Sequence, residues 1–204
     1  MPSNLKIHRP RPLTPADRAA LYNRAFPDRP PLAVHTNRAG RTWVYGIWEI
    51  GNDYRSKNGY YGSYPPGYVA RVQAMFPDMP MTRTLHLFSG PLNEPGIKLD
   101  RRIGVAPTIC ADAAHLPIQA GAIRFTMADP PYSLDDAWRY HAPLPNKKAS
   151  LHELARVTRP GGHLAWLDIP KPMYRKTEWH PWGTIGILRS INHRGRFLFL
   201  FERV

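Results

Sequence analysis

The sequence predicts an α/β fold on a mostly parallel sheet that ends in an antiparallel hairpin. Three observations predict it. From residue 83 onward, short apolar runs alternate with loops and helical stretches, the pattern of successive βα units. A stretch with Leu151, Leu154, Ala155 and Val157 at helical spacing meets Gly161-Gly162 and then a new apolar run. Finally, Thr184–Ile191 and Arg196–Phe201 flank Asn192-His193-Arg194-Gly195, as two strands flank a turn.

The elements follow in order. Thr14-Pro15-Ala16-Asp17 opens a short helix over Arg18–Phe26, with Thr14 as its N-cap and proline in its first turn. The apolar, aromatic run Thr42–Ile50 is a strand. Asn58–Pro66 is a Gly- and Tyr-rich loop, and Gly67–Phe76 is a helix stopped by Pro77. Strands are expected at Thr84–Phe88, Gly96–Leu99, Pro107–Cys110, Ile123–Ala128 and His163–Asp168, with a helix over Ala149–Thr158. This divides the chain into a basic, Pro-rich arm with one short helix (1–42), a strand and helix (43–82) and a core (83–204).

The formal charge is +13 over 204 residues, with a pI near 10.2, which favours a polyanionic partner. Residues 1–42 hold eight Lys/Arg, namely Lys6, Arg9, Arg11, Arg18, Arg24, Arg29, Arg38 and Arg41, against Asp17 and Asp28. The segment 169–204 is also basic, so the charge reads as a footprint for phosphates. No apolar stretch is long enough for a membrane span and the N-terminus lacks a signal-like apolar region, so the expected location is cytoplasmic. Cys110 is the single cysteine, which excludes an internal disulfide, and His163, His180 and His193 are scattered, so no metal site is expected.

Four places carry candidate chemistry. Gly90, just after the strand ending at Phe88, lets a ligand approach the backbone. Asp100, ending the next run, can accept the ribose hydroxyls of an adenosine-containing cofactor. Asp112 ends the third run and can reach an adenine amino group. Asp129-Pro130-Pro131-Tyr132, after the strand Ile123–Ala128, is the sharpest signal. Two prolines fix the backbone and remove two N–H donors, leaving a carboxylate and rigid carbonyls as acceptors beside an aromatic ring. Such a corner suits a planar base that carries an amino group.

The Asp129–Tyr132 tetrapeptide resembles the signature of amino-group (N6-adenine/N4-cytosine) DNA and RNA methyltransferases, which belong to class I. Leu87-Phe88-Ser89-Gly90 resembles their cofactor loop, Cys110–Pro117 their third cofactor motif, and Glu153–Leu164 the helix–turn–strand after the active site. The likeness covers about residues 83–204, with the motifs in matching order. It departs from the pattern at Leu92, where a second glycine is usual, and at His86, where many relatives carry an acid. It implies a Rossmann-like sheet of seven strands and S-adenosyl-L-methionine as cofactor. Phe88, Ser89, Gly90, Asp100, Asp112, Ala113 and Asp129 would hold that cofactor, with Tyr61 and Gly62 (in Tyr60–Ser63) near its methionine end. Asp129, Pro130, Pro131 and Tyr132 would be catalytic.

The implied reaction is methylation of an exocyclic amino nitrogen, with Asp129 leaning toward adenine N6 in DNA. Only 35 residues separate Tyr132 from Asp168, and 36 follow Asp168, too few for a target-recognition domain. Recognition then falls to the basic N-terminal region, to the loop Ser133–Lys148 with Trp138, Arg139, Tyr140, His141, Lys147 and Lys148, or to a partner subunit. RNA and free nucleosides stay open as substrates. A catalytically silent nucleic-acid-binding module, which the intact tetrapeptide argues against, and a small-molecule methyltransferase, which the charge argues against, are the competing readings. A dehydrogenase is disfavoured because no G-x-G-x-x-G is present.

Overall fold

Residues 11–50, 64–189 and 192–204 are described by the structure, a computed structural model. Helix α1 (Pro15–Ala25) starts as its sequence predicts. The Thr14 hydroxyl accepts the Asp17 N–H and the Asp17 carboxylate accepts the Thr14 N–H, a reciprocal cap. Strands β1 (Ala33–Thr36) and β2 (Thr42–Ile50) form a hairpin, and α2 (Tyr68–Met75) follows. Then come β3 (Leu85–Leu87), β4 (Ile97–Asp100), β5 (Ile109–Cys110), β6 (Ile123–Ala128), α3 (Leu134–Arg139), α4 (Lys147–Val157), β7 (Thr158–Asp168), β8 (Trp179–Arg189) and β9 (Asn192–Arg203).

Among the described residues, nine strands join one sheet in the order β1-β2-β8-β9-β7-β6-β3-β4-β5. From β3 the chain steps outward through β4 and β5, all parallel, then returns to the other side of β3 with β6 and β7, also parallel. Strand β9 runs antiparallel to both β7 and β8. The reversal of strand order between β3 and β6 opens a crevice at their carboxyl ends, where ligands bind in open α/β sheets. The seven strands β3–β9 match the expected architecture. The sheet has nine strands rather than seven because β2 adds in parallel to β8, from Val44 opposite Gly183 to Ile50 opposite Arg189. The chain before residue 83 therefore contributes to the same sheet.

Two layers of side chains cover the sheet. On one face α1 and α2 pack Ala19, Tyr22, Tyr68 and Val72 against Trp48, Met127, Leu167, Ile185 and Leu198. Trp48 is stacked on Tyr22 with centroids 5.3 Å apart, and an aromatic side chain this buried contributes about 2–3 kcal/mol. On the other face Leu151, Leu154 and Ala155 of α4 pack against Leu85, Leu87, Leu164 and Trp166.

Several boundaries differ from expectation: Ser133–Lys148, expected as a loop, holds α3 and the start of α4, and β8 begins at Trp179 rather than Thr184. Gly161-Gly162 do not end α4; the helix stops at Val157 and Thr158 already belongs to β7. Residues 159–162 instead form a bulge, since Ile123 pairs with Thr158 but Phe125 pairs with His163. A side chain at Gly162 would lie 2.6 Å from Thr158 Cγ2, so only glycine fits the bulge. The last strand also starts earlier than expected. Asn192 pairs with Arg189, so 192–195 belongs to β9 and not to the turn.

Candidate active site

The carboxyl ends of β3, β4, β5 and β6 surround a cavity of about 380 Å³, within the range of small-molecule sites. Of the residues singled out in the sequence, Phe88, Asp100, Asp112, Ala113, Asp129, Pro130 and Pro131 line it. Ser89 and Gly90 are buried in the loop beneath it, and the Ser89 hydroxyl donates to the Gly90 carbonyl at 3.3 Å. Tyr61 and Gly62 lie outside the described residues.

Loop geometry after β3 explains why a second glycine is dispensable. Phe88 adopts φ 59 and Gly90 φ 54, so the chain turns twice through the left-handed region. For Phe88 that conformation costs about 1–2 kcal/mol. The Ser89 N–H donates to the Leu99 carbonyl at 3.1 Å and the Gly90 N–H to Asp100 Oδ2 at 2.9 Å, which hold the turn against β4. Leu92, at the position of the missing glycine, is simply buried. His86 is buried too, its Nε2 facing the Pro95 carbonyl at 3.2 Å, and burial pulls its pKa down to about 4. It is a neutral core residue that fits there because Gly96, at φ 137, has no side chain to strike its ring.

Asp129 follows the last residue of β6 and is half-buried. Burial pushes its pKa up to about 6, opposed by the Arg196 charge and by a hydrogen bond from the Tyr132 hydroxyl to Oδ1. Tyr132 itself is held well above the ordinary tyrosine range, first by burial and then by the Asp129 charge, so it stays a donor. The Arg196 guanidinium lies over its ring, 4.9 Å from the centroid. Tyr132 thus orients the carboxylate, and one face of its ring is taken by a cation. Asp129 and Pro130, which carry a carboxylate and a backbone carbonyl as acceptors, both line the cavity.

Several residues at the site escaped sequence reasoning. Arg101, Arg102 and His115 line the cavity, as does Asn146 from the segment between α3 and α4, beside Tyr140 of the expected recognition loop. Asp168, fully buried at the end of β7, accepts the Lys147 ammonium at 2.8 Å, the Trp166 indole N–H at 3.1 Å and the Ile169 N–H at 2.8 Å. The signal for it was available, because it ends an apolar strand on the same sheet edge as Asp100 and Asp129.

The basic footprint needs revision at two of its members. Arg18 is buried, clamps Asp78 at 2.8 and 3.1 Å, donates to the Met75 carbonyl and lies over Phe76. Arg11 pairs with Asp17. Arg24, Arg29, Arg38 and Arg41 are exposed, while Lys6 and Arg9 lie outside the described residues. Among the described residues no helix is long and apolar enough to cross a membrane.

No protein-family model and no curated protein matches the chain. Solved structures do. TrmN from Thermus thermophilus superposes with a TM-score of 0.51 at 19% identity, over 72% of this chain and 52% of that one, so the chain spans about half its length. An rRNA methylase from Streptococcus thermophilus matches at TM-score 0.38 and 11% identity, over 62% of this chain and 89% of that one. A geranyl diphosphate C-methyltransferase from Streptomyces coelicolor A3(2) gives 0.40 and 10%, over 95% and 100%. Strand order and the first of these likenesses agree: the fold is α/β and Rossmann-like, with an antiparallel final strand and two strands added at one edge.

Proposed function

We propose that the protein is an S-adenosyl-L-methionine-dependent methyltransferase acting on an exocyclic amino group of a base in a nucleic acid, with adenine N6 in DNA as the first candidate. One observation carries the reading. The acceptor corner Asp129-Pro130 shares a single cavity with the carboxylates Asp100 and Asp112 at the sheet's carboxyl edge. The cavity fits the cofactor's chemistry: carboxylates for ribose hydroxyls and an adenine amino group, and apolar Phe88, Leu99 and Ala113 for its flat ring.

When bound, the cofactor supplies an electrophilic methyl group. The chain's own residues supply the rest. An aryl amino group is a poor nucleophile because its lone pair is delocalised. Asp129 Oδ2 and the Pro130 carbonyl accept its two N–H bonds, which concentrates the lone pair on nitrogen and offsets the positive charge that develops there. Asp129, ionised above about pH 6, can then take the departing proton. Tyr132 keeps Oδ1 engaged so that one oxygen faces the base. In a duplex the base must leave the stack, at a cost of a few kcal/mol.

A second reading, an RNA substrate, is favoured by the 35 residues between Tyr132 and Asp168, which hold only α3, α4 and part of β7 and leave no room there for a target-recognition domain. The test is incubation with methyl-labelled cofactor and separate pools of duplex DNA, single-stranded DNA, RNA and nucleosides, followed by base analysis. N6-methyladenine in DNA is the expected product, and label in RNA alone selects the second reading. Label in no nucleic-acid or nucleoside pool, or label found equally with Asp129→Ala, overturns the proposal.

A further inference from the structure

A second cavity, of about 290 Å³, adjoins the first. Asn146, the N-cap of α4, and Ala149 in its first turn line both. The other wall of the second cavity is Met173, Tyr174 and Arg175, from the segment that joins β7 to β8. That segment is pinned to α4. The Trp179 indole N–H donates to the Leu151 carbonyl at 3.0 Å, and the Arg203 guanidinium joins the Ala155 carbonyl at 2.8 Å to the Glu178 carbonyl at 3.1 Å. The Tyr174 ring meets Phe201 at a steep angle, with centroids 5.2 Å apart. The gap between the two walls is therefore preformed.

Its lining has two characters. Leu151, Met173 and Tyr174 are apolar or aromatic, and Met173 is 74% exposed. Lys148, His152 and Arg175 bring basic groups, with Lys148 exposed and one helical turn from His152. Glu178 is the acid in the lining, and its Oε1 is taken by His152 Nδ1 at 2.6 Å and by Arg175 Nη1 at 3.2 Å. That leaves Lys148 and the other edge of the Arg175 guanidinium for an anion. The segment 169–178 adds Lys171 and Lys176. A flat apolar body with a negative charge beside it matches this lining, and a nucleotide has that form.

We propose that the second cavity takes the nucleotide next to the target base in the substrate strand, its base against Met173 and Tyr174 and its phosphate at Lys148 and Arg175. This rests on the reading given under Proposed function, which sets the target base at Asp129 in the first cavity. The strand then crosses the first turn of α4, where Asn146 and Ala149 face both cavities. Neighbouring bases can fill two separate cavities only when they are unstacked. The preferred substrate is therefore a single strand or a loop rather than an intact duplex, and a free nucleoside, lacking the neighbour, is held more weakly.

The test uses fluorescent single-stranded pentanucleotides with a central adenine, as DNA and as RNA, with S-adenosylhomocysteine present. The unaltered protein should bind them more tightly than the same sequence in duplex. Lys148→Ala should weaken binding about three- to tenfold at low salt and lower the salt slope by about 0.7, the share of one phosphate on a single strand. Met173→Asp, which sets a carboxylate at an exposed position of the lining, should weaken it at least as much. S-adenosylhomocysteine affinity, measured by calorimetry, should stay the same in both variants and serves as the control for folding. A photoreactive thiopyrimidine on one side of the adenine should crosslink to Met173 or Tyr174. Pentanucleotide binding indifferent to both substitutions, or crosslinks that avoid the second cavity, overturns the proposal and leaves the methyltransferase reading standing. Adenosine monophosphate that binds as tightly as the pentanucleotide and is lost in Met173→Asp makes the cavity a free-nucleotide site, which also overturns the strand assignment. An unaltered protein that binds S-adenosylhomocysteine but no pentanucleotide and no duplex overturns the nucleic-acid reading itself, and the second cavity's role with it.

Discussion

The Tyr132 hydroxyl donates a hydrogen bond to Asp129 Oδ1, joining the two ends of the Asp-Pro-Pro-Tyr corner. Two consecutive prolines hold the backbone between them, so the carboxylate is fixed at both its main chain and its side chain.

The pH dependence follows from that bond. Burial raises Asp129 to about 6, and the Tyr132 bond works against the rise by stabilising the ionised form. Only the ionised carboxylate can accept an amino proton, so kcat/KM should fall about tenfold per pH unit below about 6. Tyr132→Phe removes a bond to the charged form, so the acid limb should move to higher pH, by up to about one unit. A pH–rate profile that is flat between 5 and 8 would count against Asp129 as the acceptor.

Replacing Asp129 separates chemistry from binding. Asp129→Asn should retain S-adenosylhomocysteine binding and lower single-turnover methyl transfer about 10²–10⁴-fold. The same change should raise stability at neutral pH. The folded pKa of Asp129 lies above its unfolded value of 3.8, so its charge costs stability above about pH 6, and that cost fades as pH falls from 6 toward 4. A two-unit shift corresponds to about 2–3 kcal/mol. Urea denaturation at pH 7.5 and at pH 4.5 measures it, and the variant's advantage should shrink at the lower pH.

Arg18 should prove structural despite its place in the basic N-terminal segment. Arg18→Ala leaves the Asp78 carboxylate without its clamp and opens a void over Phe76, for a loss of about 3 kcal/mol in chemical denaturation. The salt dependence of nucleic-acid binding should not change in that variant, whereas Arg38→Ala or Arg41→Ala should each reduce its slope by nearly one. A reduced slope with Arg18→Ala would return that residue to the phosphate footprint.

Lys147 and Asp168 form a pair at the foot of the segment that covers the cavity. Lys147→Met should destabilise the fold by about 2–4 kcal/mol, because Asp168 keeps only its indole and backbone donors. The double change Lys147→Met with Asp168→Asn should recover part of the loss, as a thermal or urea double-mutant cycle would show. Equal stability of the single variant and the unaltered protein would mean that the pair contributes nothing.

What could be read from sequence was what depends on local periodicity and order. Strands β2 and β6 are legible to the residue because their apolar runs end abruptly, and the same runs mark Asp100, Asp112 and Asp129, which line one cavity. What could not be read depends on pairing between distant segments. Nothing in Thr42–Ile50 says that it lies beside Gly183–Arg189, so the sheet was expected to be two strands narrower. Gly161-Gly162 looked like a helix stop because a bulge and a stop use the same residue. Arg102 was invisible for a different reason: in a chain with 28 Lys/Arg, one more arginine near an aspartate carries no signal.

Arg18 also reaches His163 Nε2 at 3.2 Å, on β7, while His163 is kept neutral by burial, its pKa near 3. The helix that begins at Pro15 is therefore wired to a central strand, and with α2 it roofs one whole side of the sheet. Trimming the gene to its recognisable half, from residue 83 onward, would strip that roof from Phe125, Met127, Ala165 and Leu167 and turn an interior wall into wet surface. The part that carries the strand-end motifs therefore depends on the two helices before it for a dry core on that side.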